Sequence, residues 1–298
     1  MKRITILSIQ LLIAALPGVV AAADLEHSKW DMLVQKYVNT EARVDYKGLK
    51  AHGLAALDAY ISELAAPWPS GMSPAATKAA LVNSYNAFTV RWILSNYPVE
   101  SIRKTKDPFT AARHTLDGSL VSLDKIEGRL RAMGDPRIHA ALVCAARSCP
   151  PLRREAYVSG RIEEQLDDNV RTWLANPQLN EFVPTQRLAR VSSIFKWYSG
   201  DFEPTGGLNP FLARFAPTGR ADFLRGPDAK IEFKTYNWGL NDATTLGGGY
   251  SELEFYGDIV RGGLRTPWIS GALFAVILTG VLWTLRRRGA GSRKVGQA

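Results

Sequence analysis

The sequence predicts one α+β domain, with helices around a mixed or antiparallel sheet, between an export signal and one C-terminal membrane helix. Three observations support this prediction. Apolar residues recur at helical spacing in several segments, strand-like runs lie between them, and a charge-free apolar segment lies near the end of the 298-residue chain. The helices and strands do not alternate regularly, which favours α+β over a doubly wound parallel sheet.

The basic character of the chain belongs to its two ends. The sequence has 37 Lys and Arg against 28 Asp and Glu, a net charge of +9. Seven of the basic residues lie in the first three and the last thirteen positions, and without them 30 remain against 28 acidic residues. A body so close to neutral gives no support to nucleic-acid binding. A hydrophobic content of 46% excludes disorder as the overall state.

Residues 1–23 have the three parts of a secretory signal peptide. Lys2 and Arg3 precede an apolar run from Ile4, and small residues follow, with Ala21 and Ala23 suited to a cleavage site. The apolar run is too short for a comfortable membrane span. The chain is therefore expected to be exported.

The segment from Trp268 to Leu285 is predicted to cross the membrane. It contains no charged residue, and as a helix it would reach roughly 27 Å, enough for a hydrocarbon core. Three arginines follow directly, and a basic flank is typical of the cytoplasmic side. We therefore expect a single-pass inner-membrane protein whose globular part faces the periplasm. The predicted organisation is a signal peptide (1–23), a globular domain (24–243), a Gly-rich stalk (244–267), a transmembrane helix (268–285) and a basic cytoplasmic tail (286–298).

The predicted elements of the domain follow from local patterns. Ser73-Pro74 is a helix start, with Ser as the N-cap and Pro at the first helical position. Asp117-Gly118 between two strand-like runs indicates a β-hairpin. In chain order we predict helices over 25–37, 54–64, 73–96, 123–133, 162–173 and 193–198, and extended segments over 44–46, 115–123, 138–144, 188–191 and 231–235.

Reactive side chains concentrate in one short segment. Ile138–Cys144 is a nearly continuous apolar run of strand length, typical of a strand buried on both faces. His139 and Cys144 would then point to opposite faces of that strand. Cys149, beyond the expected turn, is freer to return towards His139. A thiol paired with a base can act as a nucleophile, with Arg147 as another positive neighbour.

The two cysteines allow a second interpretation. An oxidising compartment permits a disulfide between Cys144 and Cys149, provided that residues 145–148 form a tight loop. Metal binding has little support, because Cys-x4-Cys with one nearby His lacks four ligands at a known zinc spacing. No cofactor motif is present, and we predict neither a cofactor nor a metal.

Asn83 and Asn86 lie three residues apart on an apolar helix, hence on one face. If buried, their amides require hydrogen-bond partners. Either they pin a loop, or they face a substrate or orient His139. The aromatic residues Phe195 to Tyr198, with Asp201 and Phe202, are more typical of the core and a corner of the fold than of a binding surface. For Trp238 and Asn241 both interpretations, core and binding surface, are kept.

Several motifs together resemble one family, the domain of unknown function 547. They span about residues 45–242 in the family's order. Asn237 departs from the pattern, since the family has Asp there. The motifs are Val82-Asn83-Ser-Tyr85-Asn86-Ala87, Ser122-Leu-Asp-Lys-Ile126-Glu127, Ile138-His139 through Cys149-Pro150-Pro-Leu, Phe195-Lys-Trp-Tyr198 with Asp201-Phe202, and Tyr236-Asn-Trp238-Gly-Leu240-Asn241.

The resemblance implies a fold similar to papain-like or transglutaminase-like proteins, in which Cys, His and an acid or amide act together. His139 would be the base, and either Cys149 or Cys144 would supply the thiol, unless catalysis has been lost. Two hypotheses follow. The chain is a tethered thiol enzyme acting by acyl transfer on a peptide-like amide, or a binding or scaffold domain with a structural disulfide. The candidate catalytic residues are Cys149, Cys144, His139, Glu127 and Asn86, and the candidate substrate-binding residues are Asn83, Arg147 and Trp238; the partner is an unidentified peptide or small molecule.

Overall fold

The computed structural model describes residues 24–244, which form an α+β structure that is about half helical and contains two small sheets. The predicted α+β class is confirmed. The helices are α1 (Ser28–Tyr37), α2 (Tyr46–His52), α3 (Leu54–Ala65), α4 (Pro74–Asn96), α5 (Leu123–Arg131), α6 (Ile162–Ala175), α7 (Ile194–Trp197) and α8 (Leu208–Phe215). The strands are β1 (His114–Leu116), β2 (Ser119–Val121), β3 (Glu181–Val183), β4 (Leu188–Ser192) and β5 (Lys230–Lys234).

Helix α4 lies at the centre of the domain. The Ser73 side chain accepts the Ala76 N–H at 3.0 Å, and Pro74 occupies the first turn, so this helix begins where the sequence predicts. All residues from 79 to 90 are buried, as is typical of a helix that is covered on every side. Helices α3, α5 and α6 pack against it. The main core is therefore built around helix α4.

The two sheets are small. Strands β1 and β2 form an antiparallel hairpin whose turn residues, Asp117 and Gly118, both have positive φ, as a tight two-residue turn requires. This confirms the predicted hairpin. The second sheet is mixed, because β4 pairs with β3 antiparallel and with β5 parallel. In β5, which overlaps the predicted extended segment 231–235, Ile231 is half-buried and Phe233 is 39% exposed.

The predicted central strand over 138–144 is wrong. Residues Pro136–Ala140 form a 3-10 helix, and irregular backbone follows. No strand neighbour is needed there, because the Asn86 side chain pairs with the backbone of this segment. Its Oδ1 accepts the Val143 N–H at 2.9 Å, and its Nδ2 donates to the Ala141 carbonyl at 2.9 Å. A side-chain amide thus satisfies backbone groups that a sheet would otherwise satisfy.

Several sequence predictions concern residues outside the described range. The signal peptide (1–23), the transmembrane helix (268–285), the basic tail (286–298) and nearly all of the stalk (244–267) belong to this group. Between residues 24 and 244, no helix is both long and apolar enough to span a bilayer.

Candidate functional site

The two cysteines lie at the ends of a tight loop. Ala145 adopts φ +62°, a left-handed conformation that is uncommon for a residue other than glycine. The loop turns sharply there, and the Cys149 N–H donates to the Ala146 carbonyl at 3.1 Å. As a result, the sulfur atoms of Cys144 and Cys149 lie 2.9 Å apart, and both residues are free thiols.

The segment 236–242 fixes this loop from outside. The Arg147 N–H donates to the Gly239 carbonyl at 2.7 Å, and the Asn241 N–H donates to the Ala145 carbonyl at 3.0 Å. Asn237, at the position where the resemblance leads us to expect an acid, accepts the Gly239 N–H through Oδ1 at 2.9 Å. An amide oxygen makes the same turn-stabilising contact that a carboxylate oxygen can make, so this role does not require the missing charge.

The sulfur of Cys149 accepts several hydrogen bonds. The N–H groups of Cys144 and Ala146 donate to it at 3.2 and 3.3 Å, and the Tyr236 hydroxyl donates at 3.2 Å. Burial opposes ionisation of Cys149, but the hydrogen bonds from Cys144, Tyr236 and the backbone lower its pKa. The contact with Cys149, together with burial, raises the pKa of Cys144. The pair therefore ionises first at Cys149, and Cys144 keeps its proton and donates it to that sulfur.

His139 is held by a carboxylate. Its Nε2 lies 2.8 Å from Oδ2 of Asp201, and Arg131 binds the same carboxylate through two nitrogens at 2.6 and 2.8 Å. The hydrogen bond from Arg131 lowers the pKa of Asp201, and burial lowers the pKa of His139. A neutral imidazole beside an ionised carboxylate donates its Nε2–H, which leaves Nδ1 as the acceptor.

Tyr198 connects this pair to Glu127. The Tyr198 ring stacks on the imidazole of His139, with the ring centres 4.2 Å apart. Its hydroxyl interacts with the carboxylate of Glu127, whose pKa is raised by burial. Glu127 is therefore linked to His139 through Tyr198.

His139, Tyr198 and Glu127 line a pocket of about 340 Å³. His139 and Cys144 both contribute to its surface, so the expectation that they point to opposite faces of a strand is wrong. The other walls are mostly aromatic, which suits an apolar group, and they carry few charges. The remaining lining residues are Tyr85, Arg103, Phe109, Asp124, Glu127, Leu142, Ile194, Trp197, Tyr198, Tyr236 and Trp238.

The structure brings some of the candidate residues together and separates others. Cys144, His139, Glu127 and Trp238 line the 340 Å³ pocket. Cys149 is 5% exposed and lines a much smaller cavity together with Arg147. Cys144, rather than the more freely placed Cys149 of the sequence interpretation, is thus the thiol that shares a pocket with His139.

The two asparagines bind backbone. Asn86 bonds the 141–143 segment as described above, and not His139. Asn83 pairs with Tyr157, accepting its N–H at 2.9 Å and donating to its carbonyl at 2.7 Å. Both side chains are almost fully buried, at 0% and 1% exposure. This arrangement corresponds to the interpretation in which they pin loops.

Sequence reasoning missed the hydrogen-bond partner of His139. Asp201 was assigned with its aromatic neighbours to the core and corner of the fold, as was Tyr198, and Tyr236 was given no role at the thiols. The available signal was the grouping of an acid with aromatic residues in one short motif. Within residues 24–244, no three His, Cys, Asp or Glu side chains are arranged so that they could hold a metal ion.

Comparison with known proteins supports the family resemblance. Residues 69–174 match the family described as "Protein of unknown function, DUF547". This segment contains α4, the hairpin, α5, His139, both cysteines and most of α6. It ends before Tyr198, Asp201 and Tyr236. No curated protein and no solved structure is similar enough to this chain to count as a match.

Proposed function

We propose that this protein is a thiol enzyme that transfers an acyl group from a peptide-like amide through Cys144. One observation carries the proposal. A thiol and a histidine that is oriented by a carboxylate line the same pocket of about 340 Å³. Nucleophile, base and orienting acid are the three parts that covalent catalysis by cysteine requires.

In this proposal His139 moves the proton. Its Nε2–H is held by Asp201, so Nδ1 is the atom that accepts a proton and returns it. Because burial lowers the pKa of His139, the imidazole is neutral at physiological pH and ready to act as a base. Arg131 keeps Asp201 ionised and in place.

The thiol of Cys144 reacts after it loses its proton to His139. Its sulfur attacks the carbonyl carbon of the substrate, and a C–S bond forms. The C–N bond of the amide then breaks, and the leaving amine takes the proton from His139. Attack by water or by a second amine on the thioester releases the acyl group and restores Cys144.

The pocket walls favour an acyl group with an aromatic or aliphatic side chain. Trp197 and Trp238 stack with their ring centres 5.8 Å apart, and the guanidinium of Arg103 lies 3.7 Å from the centre of the Trp238 ring. Such walls bury apolar groups well. A pocket of this volume accommodates one or two residues of a peptide rather than a folded partner.

The location of this activity is part of the proposal. The signal-peptide pattern of residues 1–23 and the charge-free segment 268–285 support an exported domain tethered to the inner membrane. A reporter fused after Ala298 is expected to be active in the cytoplasm. Reporter activity on the outer side would contradict this topology.

The experiment uses para-nitrophenyl acetate, a small activated ester, with the reduced protein. We expect a burst of nitrophenolate and an acetyl group on Cys144, identified by peptide mass mapping. His139→Ala should slow this acetylation strongly. His52→Ala is the matched control, because His52 is exposed at the end of α2 and should leave the rate unchanged. Acetylation that spares Cys144, or that proceeds equally in His139→Ala, would refute the proposal.

A second candidate is the binding or scaffold domain. It is favoured by the 2.9 Å separation of the two sulfurs, which suits a permanent disulfide in an oxidising compartment. The purified protein would then contain no free thiol, and reduction with re-oxidation would change its stability but reveal no acylation.

A further inference from the structure

The two thiols of Cys144 and Cys149 lie closer together than a single catalytic nucleophile requires. The two sulfurs lie 2.9 Å apart, and a disulfide bond of about 2.05 Å needs a closure of less than about 1 Å. The left-handed Ala145 produces this approach, and backbone bonds to segment 236–242 hold it. The loop thus brings the thiols together before any bond exists.

The two thiols differ in access. Cys149 is 5% exposed, and its sulfur is surrounded by the Cys144 and Ala146 amides and the Tyr236 hydroxyl. Cys144 is less buried and lines the 340 Å³ pocket. A small molecule in that pocket therefore reaches Cys144 first, while Cys149 lies behind it with donors placed to stabilise negative charge on its sulfur.

We propose that Cys144 and Cys149 are a redox-active pair that undergoes thiol–disulfide exchange with small-molecule disulfides entering the pocket. This inference does not depend on the acyl-transfer proposal, because it requires only the two thiols and access to Cys144. It assigns Cys144 as the attacking thiol and Cys149 as the resolving thiol.

The exchange proceeds in two balanced steps. Cys144 transfers its proton to Cys149, and its sulfur attacks one sulfur of the small disulfide. A mixed disulfide forms on Cys144, the original S–S bond breaks, and one thiolate leaves. Cys149 then gives up the proton to that thiolate and attacks the Cys144 sulfur. The second small thiolate leaves and takes a proton from solvent, so the pair loses two electrons and the one proton it held, and the small disulfide becomes two thiols.

The local chemistry favours this order of events. Hydrogen bonds to Cys149 stabilise negative charge on its sulfur, which keeps a nucleophile next to the mixed disulfide. The short separation gives the second step the advantage of an intramolecular reaction. Oxidation also consumes the Cys144 thiol, so it would suspend any acyl transfer at that residue.

The test exposes the reduced full chain to oxidised glutathione and follows its intact mass. The wild type should lose the mass of two hydrogen atoms and carry no lasting adduct. Cys149→Ser should accumulate one glutathione on Cys144, because the resolving thiol is gone. Cys144→Ser should acquire glutathione much more slowly, because the remaining Cys149 is buried. Folding of both variants is checked by circular dichroism.

A lasting glutathione adduct on the wild type would overturn the pairing, as would a wild type that stays reduced. Faster adduct formation in Cys144→Ser than in Cys149→Ser would overturn the assigned roles. The ester experiment is run under reducing conditions, so a failure of acetylation leaves the exchange result intact, and a failure of exchange leaves the acetylation result intact.

Discussion

Two buried histidines of this protein are almost equally covered but have different surroundings. His27 is 6% exposed and His139 is 4% exposed. The Nδ1 of His27 lies 2.8 Å from the hydroxyl of Tyr60, a neutral partner, and Tyr60 stacks on Trp30. His139 instead faces the ionised Asp201 and lines a pocket.

This difference separates a structural histidine from a candidate catalytic one. Burial lowers the pKa of His27 to about 4, and nothing beside it stabilises an imidazolium strongly enough to offset that burial. Burial also lowers the pKa of His139, but the hydrogen bond to Asp201 opposes this shift. A carboxylate partner keeps protonation of His139 accessible during a reaction, whereas His27 is confined to its neutral form. Burial alone therefore does not identify a site.

The largest expected effect is on acetylation by the activated ester. His139→Ala should lower the rate at Cys144 by about a thousandfold, since general-base catalysis typically contributes factors of this order. His27→Ala should leave this rate unchanged. Both substitutions remove a buried hydrogen-bonding group, so both should lower stability to urea. Equal loss of rate in the two variants would show that the comparison reports folding alone.

His27 should contribute a large part of the pH dependence of stability. Its folded pKa, about 4, lies below the ordinary 6.5 of histidine, so the unfolded chain binds the proton first as pH falls. Unfolding free energy should decrease between pH 6.5 and about 4, and His27 should account for about 3 kcal/mol of this decrease.

His27→Gln, which cannot titrate, should reduce that pH-dependent loss, as measured by urea unfolding at several pH values. His114 has its pKa lowered to about 4 by burial, so His114→Gln should reduce the loss further when combined. An unchanged profile in His27→Gln would contradict the assigned burial effect.

The asparagines of α4 provide a smaller and selective effect. Asn86→Ala leaves the Val143 N–H without its buried partner, which should cost about 2 kcal/mol of stability. Because Val143 directly precedes Cys144, acetylation should also slow. Asn83→Ala is the matched control, since it removes the same kind of pairing at Tyr157. Asn83→Ala should lower stability by a similar amount and slow acetylation less. Equal slowing of acetylation in the two variants would indicate a general loss of packing rather than an effect on Cys144.

The smallest effect is expected at Tyr198. Tyr198→Phe keeps the ring on His139 but removes the hydroxyl that interacts with Glu127. We expect a loss of about 1 kcal/mol in stability and nearly unchanged acetylation. Tyr60→Phe, which removes the hydroxyl beside His27, should give a comparable loss. A large kinetic effect of Tyr198→Phe would assign the hydroxyl a direct role in the reaction.

The sequence predicts those parts of the fold whose signals are local. The start of α4 depends on Ser73 and Pro74, and the hairpin depends on Asp117 and Gly118. The segment 138–144 could not be assigned in this way, because an apolar run alone does not distinguish a strand from other buried backbone. Its conformation depends on Asn86, which lies 55 residues before Ala141.

The residues of the candidate site also fall into those that the sequence predicts and those that only the fold brings together. His139 and the two cysteines could be found because they lie within one short segment of a chain with only two cysteines. Asp201 lies 62 residues after His139, and only the fold brings the two side chains together. The choice between Cys144 and Cys149 depends on the direction in which the loop turns at Ala145, which no spacing pattern encodes.

The most direct test of the account is to measure which cysteine of the reduced protein reacts with iodoacetamide, and how fast, at neutral pH. Peptide mass mapping reports each residue separately. We expect Cys144 to be alkylated before Cys149, and we expect His139→Ala to slow this reaction while His27→Ala does not. Preferential alkylation of Cys149, or alkylation of Cys144 that is indifferent to His139, would contradict a functional Cys144–His139 pocket.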